Sequence, residues 1–330
     1  MLFHPGVIAL LLSSVLTASM LLYAAYYGLL IIKRWDLTSG SELQLSLERR
    51  TYLISTVLTY AFAFQLLSLF LYVYTADNLH TLFTGAMRAA GTLNVNGYGY
   101  PALGLKTFNF LAAGTWLIVN HVDNRGYDYP LTRKKYAFLL GLTPFALAEA
   151  VMTTNFFLRL DPNIITSCCG SLFSAGGRSV GSGLASLPPR STMILFYGTT
   201  LLCLASGLWF LRSGKGAYLF GMLAVALFIV SIISVISFVS VYVYELPSHH
   251  CPFCILQGEY HYIGYPLYAT LLGGTVWGAG AGVLEPFRNV ASLREIIPPV
   301  QKKLTGIALC FYALFVALVT FGIVSSNLVL

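Results

Sequence analysis

Ala217–Tyr244, AYLFGMLAVALFIVSIISVISFVSVYVY, runs without a single charge. About 20 apolar residues suffice for a helix to cross the hydrocarbon of a bilayer, so this stretch reads as a transmembrane helix. Working outward, comparable runs cover about 5–32, 52–75, 102–120, 136–160, 192–211, 263–284 and 304–328, which with the first makes eight spans. The chain as a whole agrees. Its 330 residues are 57% hydrophobic and 9% charged, with a mean hydropathy of +0.75, too apolar for a soluble domain. The expected fold is all-α: a polytopic membrane helix bundle of about eight transmembrane helices. No internal repeat, low-complexity tract or long linker divides it, so 1–330 is expected to be a single integral membrane domain. The first apolar run is too long for a cleaved signal peptide and no basic segment precedes it.

The net charge of +7 is spread over loops in a way that gives orientation and offers nothing to a nucleic acid. Alternate connections hold Lys33, Arg34, Arg49 and Arg50; then Arg125, Arg133, Lys134 and Lys135; then Arg212 and Lys215; then Arg288, Arg294, Lys302 and Lys303. Basic loops stay cytoplasmic, which puts both termini outside. Arg88, Lys106, Arg159, Arg178 and Arg190 fall on the opposite side and adjoining helix ends. On the cytoplasmic side, Asp36–Arg50 reads as a polar connection with room for a part-helical segment. Leu284, Phe287, Val290, Leu293 and Ile297 recur at helical spacing and suggest a short interfacial or docked helix. The outward loops are 76–101, 161–191 and 245–262. They carry four of the six cysteines and most of the histidines, as expected of a bacterial inner-membrane protein whose loops face the periplasm, where disulfides persist.

Beyond the first span lies Ser248–Gly274, SHHCPFCILQGEYHYIGYPLYATLLGG. Cys251 and Cys254 form a Cys-x-x-C, and two thiols at that spacing can close a disulfide or clamp a soft metal. A helix N-terminus near Cys254 would lower its thiol pKa. The imidazoles of His249 and His250 flank Cys251, so His249, His250, Cys251 and Cys254 are also candidate ligands for zinc or copper. Cys168, Cys169 or His80 are possible additions to that set. Cys251, the more N-terminal thiol, is expected to be exposed and to meet a partner, and Cys254 to be nearer lipid and to resolve the mixed disulfide.

The run Cys251-Pro252-Phe253-Cys254-Ile255-Leu256-Gln257 resembles the DsbB-like disulfide-generating quinone reductases, in which a Cys-x-x-C caps the outer end of a transmembrane helix. The likeness covers about twenty residues, and Gly258 stands where many members carry a basic residue. The resemblance implies a thiol–disulfide exchange enzyme with quinone as acceptor, Gln257 near the quinone, and a second cysteine pair in an outer loop.

Cys168 and Cys169 are such a second pair, though here adjacent and earlier in the chain. Neighbouring Cα atoms lie about 3.8 Å apart, short of the roughly 4.4–6.8 Å usual for disulfides, so a bond between them would be strained and reducible. Glu149 lies well inside the fourth span, where a carboxylate is costly and faces a cavity or partner. It is a candidate proton carrier or quinone contact. Gln65, Asn109 and Asn155 read as interhelical hydrogen bonders. Cys203 and Cys310 read as packing residues, and the glycines of the seventh span as a close-packing surface. No pair of helix histidines is placed for haem, so no haem is expected, and no nucleotide-binding motif is present.

The leading expectation is a membrane thiol–disulfide oxidoreductase in which Cys251, Cys254, Cys168 and Cys169 exchange electrons with a thioredoxin-like or other periplasmic redox protein, with quinone as an acceptor. The alternatives are a non-enzymatic membrane subunit whose outer cysteines and histidines bind a metal or cofactor, and a transporter with Glu149 in its path.

Overall fold

The structure is a computed structural model that describes residues 2–36, 39–166, 172–173 and 180–328. Among these, eight helices are long and apolar enough to cross a membrane: α1 (Pro5–Arg34), α2 (Glu42–Asn78), α3 (Gly99–Asp123), α4 (Thr132–Leu158), α5 (Pro189–Ser213), α6 (Ala217–Tyr244), α7 (Gly264–Val283) and α8 (Ile297–Val324). The protein is an integral membrane helix bundle, and its environment is a lipid bilayer. Leu12, Leu67, Ile194, Leu201 and Phe321 are exposed apolar side chains on these helices, the surface that acyl chains cover.

Local chemistry sets the helix ends. His4 caps α1, its Nδ1 accepting from the Gly6 amide at 3.2 Å, and Pro5 occupies a first-turn position where no N–H is needed. Lys33 and Arg34 complete its last turn, where positive charge suits the helix dipole. α2 starts about ten residues before the apolar run, because the Ser41 hydroxyl caps its first turn, accepting from the Gln44 amide at 3.3 Å, while the Gln44 side chain accepts from the Asp36 amide at 3.1 Å. The polar connection is therefore part helix, from Glu42 onward. α8 likewise begins at Ile297, with Pro298 and Pro299 in its first turn. Between α7 and α8 there is no continuous helix. Two single 3₁₀ turns, Glu285–Phe287 and Ala291–Leu293, are separated by Val290 in an extended conformation. Leu293 and Ile297 are nonetheless fully buried.

The chain packs as two compact units. One comprises Met1–Ala76, Leu93–Asp161 and Pro286–Ile297. In it α4 packs against α1 and α3 around a core that includes Leu21, Phe62, Trp116, Tyr136 and Leu142. The other comprises Asp77–Thr92, Pro162–Glu285 and Pro298–Leu330, where α6 packs against α5 and α7. The α6–α7 contact rests on glycines, as the sequence suggests. A Cβ on Gly221 would lie 2.8 Å from the Gly282 Cα, and one on Gly278 would lie 2.6 Å from the Ala224 Cβ. Small residues let the two backbones approach.

Candidate metal centre

The Cys-x-x-C loop joins α6 to α7. α6 contains a π turn, Val235–Val239, in which the Ser240 amide bonds the Val235 carbonyl. Such wide turns depart from the i→i−4 ladder and frequently lie at functional sites. Here the Ile236 carbonyl receives a side chain: His250 Nδ1 lies 2.9 Å from it. A carbonyl only accepts, so Nδ1 carries the proton and donates. Two tyrosines hold the loop from its flanking helices. Tyr244 donates to the Cys251 carbonyl at 2.5 Å and Tyr268 to the Pro252 carbonyl at 2.7 Å. Gly264 lets the start of α7 close on the loop, since a Cβ there would meet the Ile255 backbone at 2.9 Å.

These supports bring three ligand atoms together. One nitrogen of His249 and the sulfurs of Cys251 and Cys254 all lie within 4.8 Å of one another. The His249 ring stands edge-on to Tyr244, with centroids 4.7 Å apart, and the Tyr260 ring packs against the same phenol at 4.7 Å. Burial, then Cys254 and Glu259, holds the Tyr260 phenol above its usual pKa. Arg88, at the start of the short helix Arg88–Leu93, reaches Glu259 at 3.5 Å, which ties that segment to the loop.

Several expectations change here. His250 does not join His249 at the sulfurs, because the π-turn carbonyl takes its ring. Cys251 is the deeper thiol, 0% exposed against 7% for Cys254, so it is not an exposed attacking group. Cys254 opens a single 3₁₀ turn, Cys254–Leu256, and α7 begins only at Gly264, so the Cys-x-x-C does not cap a transmembrane helix. Gln257 is half-buried, and its backbone closes the following turn, its carbonyl accepting from Tyr262 at 2.9 Å. His80 bonds the Asp77 carbonyl through Nδ1. Cys168 and Cys169 lie outside the described residues. Cys203 is buried in α5, whereas Cys310 is exposed on α8.

Glu149, in the other unit, does not face an empty cavity. Lys106 Nζ bonds its Oε1 at 2.6 Å, Asn109 Nδ2 bonds its Oε2 at 2.6 Å, and Gln65 Nε2 donates to the same Oε2. Lys106 also donates to the Ser68 hydroxyl at 3.3 Å. Lys106 and Glu149 side chains are 1% and 3% exposed, so this is a buried ion pair. Asn155 bonds only within its own helix, to the Val151 carbonyl at 2.9 Å. A second buried pair, Lys135 with Asp123 at 2.7 Å, is braced by the Leu131 amide on Asp123 at 2.7 Å and by Asn120 on Lys135 at 3.1 Å. Neither lysine stood out in the sequence. Lys106 reads as a helix-end charge and Lys135 as one more basic loop residue. The available signal was a charge inside each of two spans, since each needs a counter-charge.

No known family model, characterised protein or solved structure matches this chain.

Proposed function

We propose that this protein is a membrane-embedded metal-binding protein that holds a soft metal ion, zinc or copper(I), through His249, Cys251 and Cys254. The observation that carries the reading is the mutual approach of one imidazole nitrogen and two sulfurs within 4.8 Å, in a loop braced by Tyr244, Tyr268 and His250. Thiolate and imidazole are the donors those ions prefer. Three protein ligands leave a zinc ion one open position, and a neighbouring His250 locked onto Ile236 does not compete for it. The basic residues of the alternate loops support an outward, periplasmic placement for the site in a bacterial inner membrane.

The proximity of the two sulfurs also favours a second reading, dithiol–disulfide exchange between Cys251/Cys254 and a thioredoxin-like protein, with quinone as acceptor and Cys168/Cys169 as a relay. It ranks behind the first because exchange requires a thiolate to reach a sulfur directly, and both sulfurs here are buried.

Elemental analysis of the purified protein separates the two. The metal reading expects about one zinc or copper per chain, with the metal lost in Cys251→Ser and in Cys254→Ser and weakened in His249→Ala, by analogy with other sites built from few ligands. Metal-free wild-type protein from zinc- and copper-supplemented cells, together with mixed disulfides accumulating in Cys254→Ser on non-reducing gels, would move the assignment to exchange.

A further inference from the structure

A groove of about 250 Å³ runs between α1 and α2, lined on α1 by Ser19, Met20 and Tyr23 and on α2 by Arg50, Leu53, Ile54, Val57 and Leu58. It lies on the bundle surface, where Tyr23, Leu53 and Val57 are exposed. Its two ends differ in kind. Arg50 is the last charge of α2 before the uncharged run from Thr51 to Ala76, and α1 is uncharged from Pro5 to Ile32 before Lys33 and Arg34. Arg50 therefore sits at the boundary of the apolar slab, and the remaining lining residues extend from it into the slab. From Arg50 to Val57 the helix rises about 10 Å.

The Arg50 guanidinium is held in place, stacked over the Tyr27 ring at 4.7 Å. Among the described residues it has no carboxylate partner. The ion pairs among the described residues are Arg88–Glu259, Lys106–Glu149 and Lys135–Asp123, and the neighbouring Glu48 accepts from Gln44 at 2.8 Å. A fixed guanidinium presents a fork that matches a phosphate. An anion there with an apolar tail long enough to follow the groove is a lipid.

We propose that the α1–α2 groove binds one anionic phospholipid, its phosphate on Arg50 and one acyl chain along Met20, Tyr23, Val57 and Leu58. Lys33 and Arg34, on the same side by sequence, add to the positive field that selects an anionic head group. This site is independent of the metal centre.

The test uses the full-length protein in mild detergent, stripped of lipid and titrated with phosphatidylglycerol or phosphatidylcholine of identical chains, with bound lipids counted by native mass spectrometry. The wild type is expected to take its first phosphatidylglycerol about tenfold more tightly, equivalent to about 1.4 kcal/mol. Arg50→Gln removes that preference. Val57→Trp, which fills the groove and keeps the charge, weakens the first binding of both lipids. Both positions are exposed, and unchanged melting in the absence of lipid verifies that each variant is folded. Arg49→Gln, outside the groove, leaves the preference intact. Persistence of the preference in Arg50→Gln, unaltered binding in Val57→Trp, or an equal loss in Arg49→Gln would each overturn the proposal. So would displacement of the lipid by excess inorganic phosphate, which would indicate a bare anion site.

Discussion

An ammonium inside a hydrocarbon slab needs a counter-charge, and Lys106 finds one in Glu149 at 2.6 Å. Removing water from either ion costs several kcal/mol, and the pair recovers this only with good geometry and further hydrogen bonds. Here Ser68, Asn109 and Gln65 supply those bonds. Both Glu149 oxygens are engaged, so the carboxylate is built to hold three helices together. Lys106→Met strands a buried carboxylate and is expected to cost about 3–5 kcal/mol of stability. The double variant Lys106→Met/Glu149→Leu removes both charges and should cost less than either single change. Unfolding titrations of the three variants check this; a double variant that loses the sum of the two would show that the residues act independently. The same logic applies at His249 and His250. They are adjacent in sequence and identical in chemistry, yet only one faces the sulfurs, because the other is used to fix the loop on Ile236.

At the scale of elements, α6 and α7 frame the Cys-x-x-C loop, and their contact is set by Gly221, Ala224, Gly278 and Gly282. A valine at Gly221 would drive its Cβ into the Gly282 backbone, which cannot yield as a side-chain tip can. Overpacking of this kind costs about 1–3 kcal/mol, so Gly221→Val is expected to lower the melting temperature and the metal occupancy together. Gly198→Ala in α5, with nothing near its added methyl, should leave both unchanged. If Gly221→Val behaved like Gly198→Ala, the packing account would be wrong. The helices themselves were legible in the sequence, because an uncharged run of spanning length is a local property. Their ends were less so: the Ser41 N-cap extends α2, and the two prolines after Ile297 open α8, and neither signal is hydrophobic. The 3₁₀ turns near Pro286 and Val290 replaced an expected helix because helical spacing of apolar residues does not report a backbone break.

For the whole molecule, composition alone dictates a bilayer protein, and the described residues supply eight helices of spanning length. What composition and periodicity do not carry is which spans meet. Lys106 and Glu149 come from different helices, and no local pattern couples them. At the candidate centre the sequence offered four donors, and the fold selects three, after burying Cys251 more deeply than Cys254. That selection depends on a π turn and on two tyrosines from separate helices, contacts that only tertiary structure specifies. X-ray absorption at the zinc or copper edge of the purified full-length protein tests the central claim most directly. The account predicts a first shell with two sulfurs, at about 2.3 Å if the metal is zinc, and at least one imidazole nitrogen, with a sulfur missing in Cys251→Ser. A shell of oxygen and nitrogen only, or one unchanged in Cys251→Ser, would contradict it.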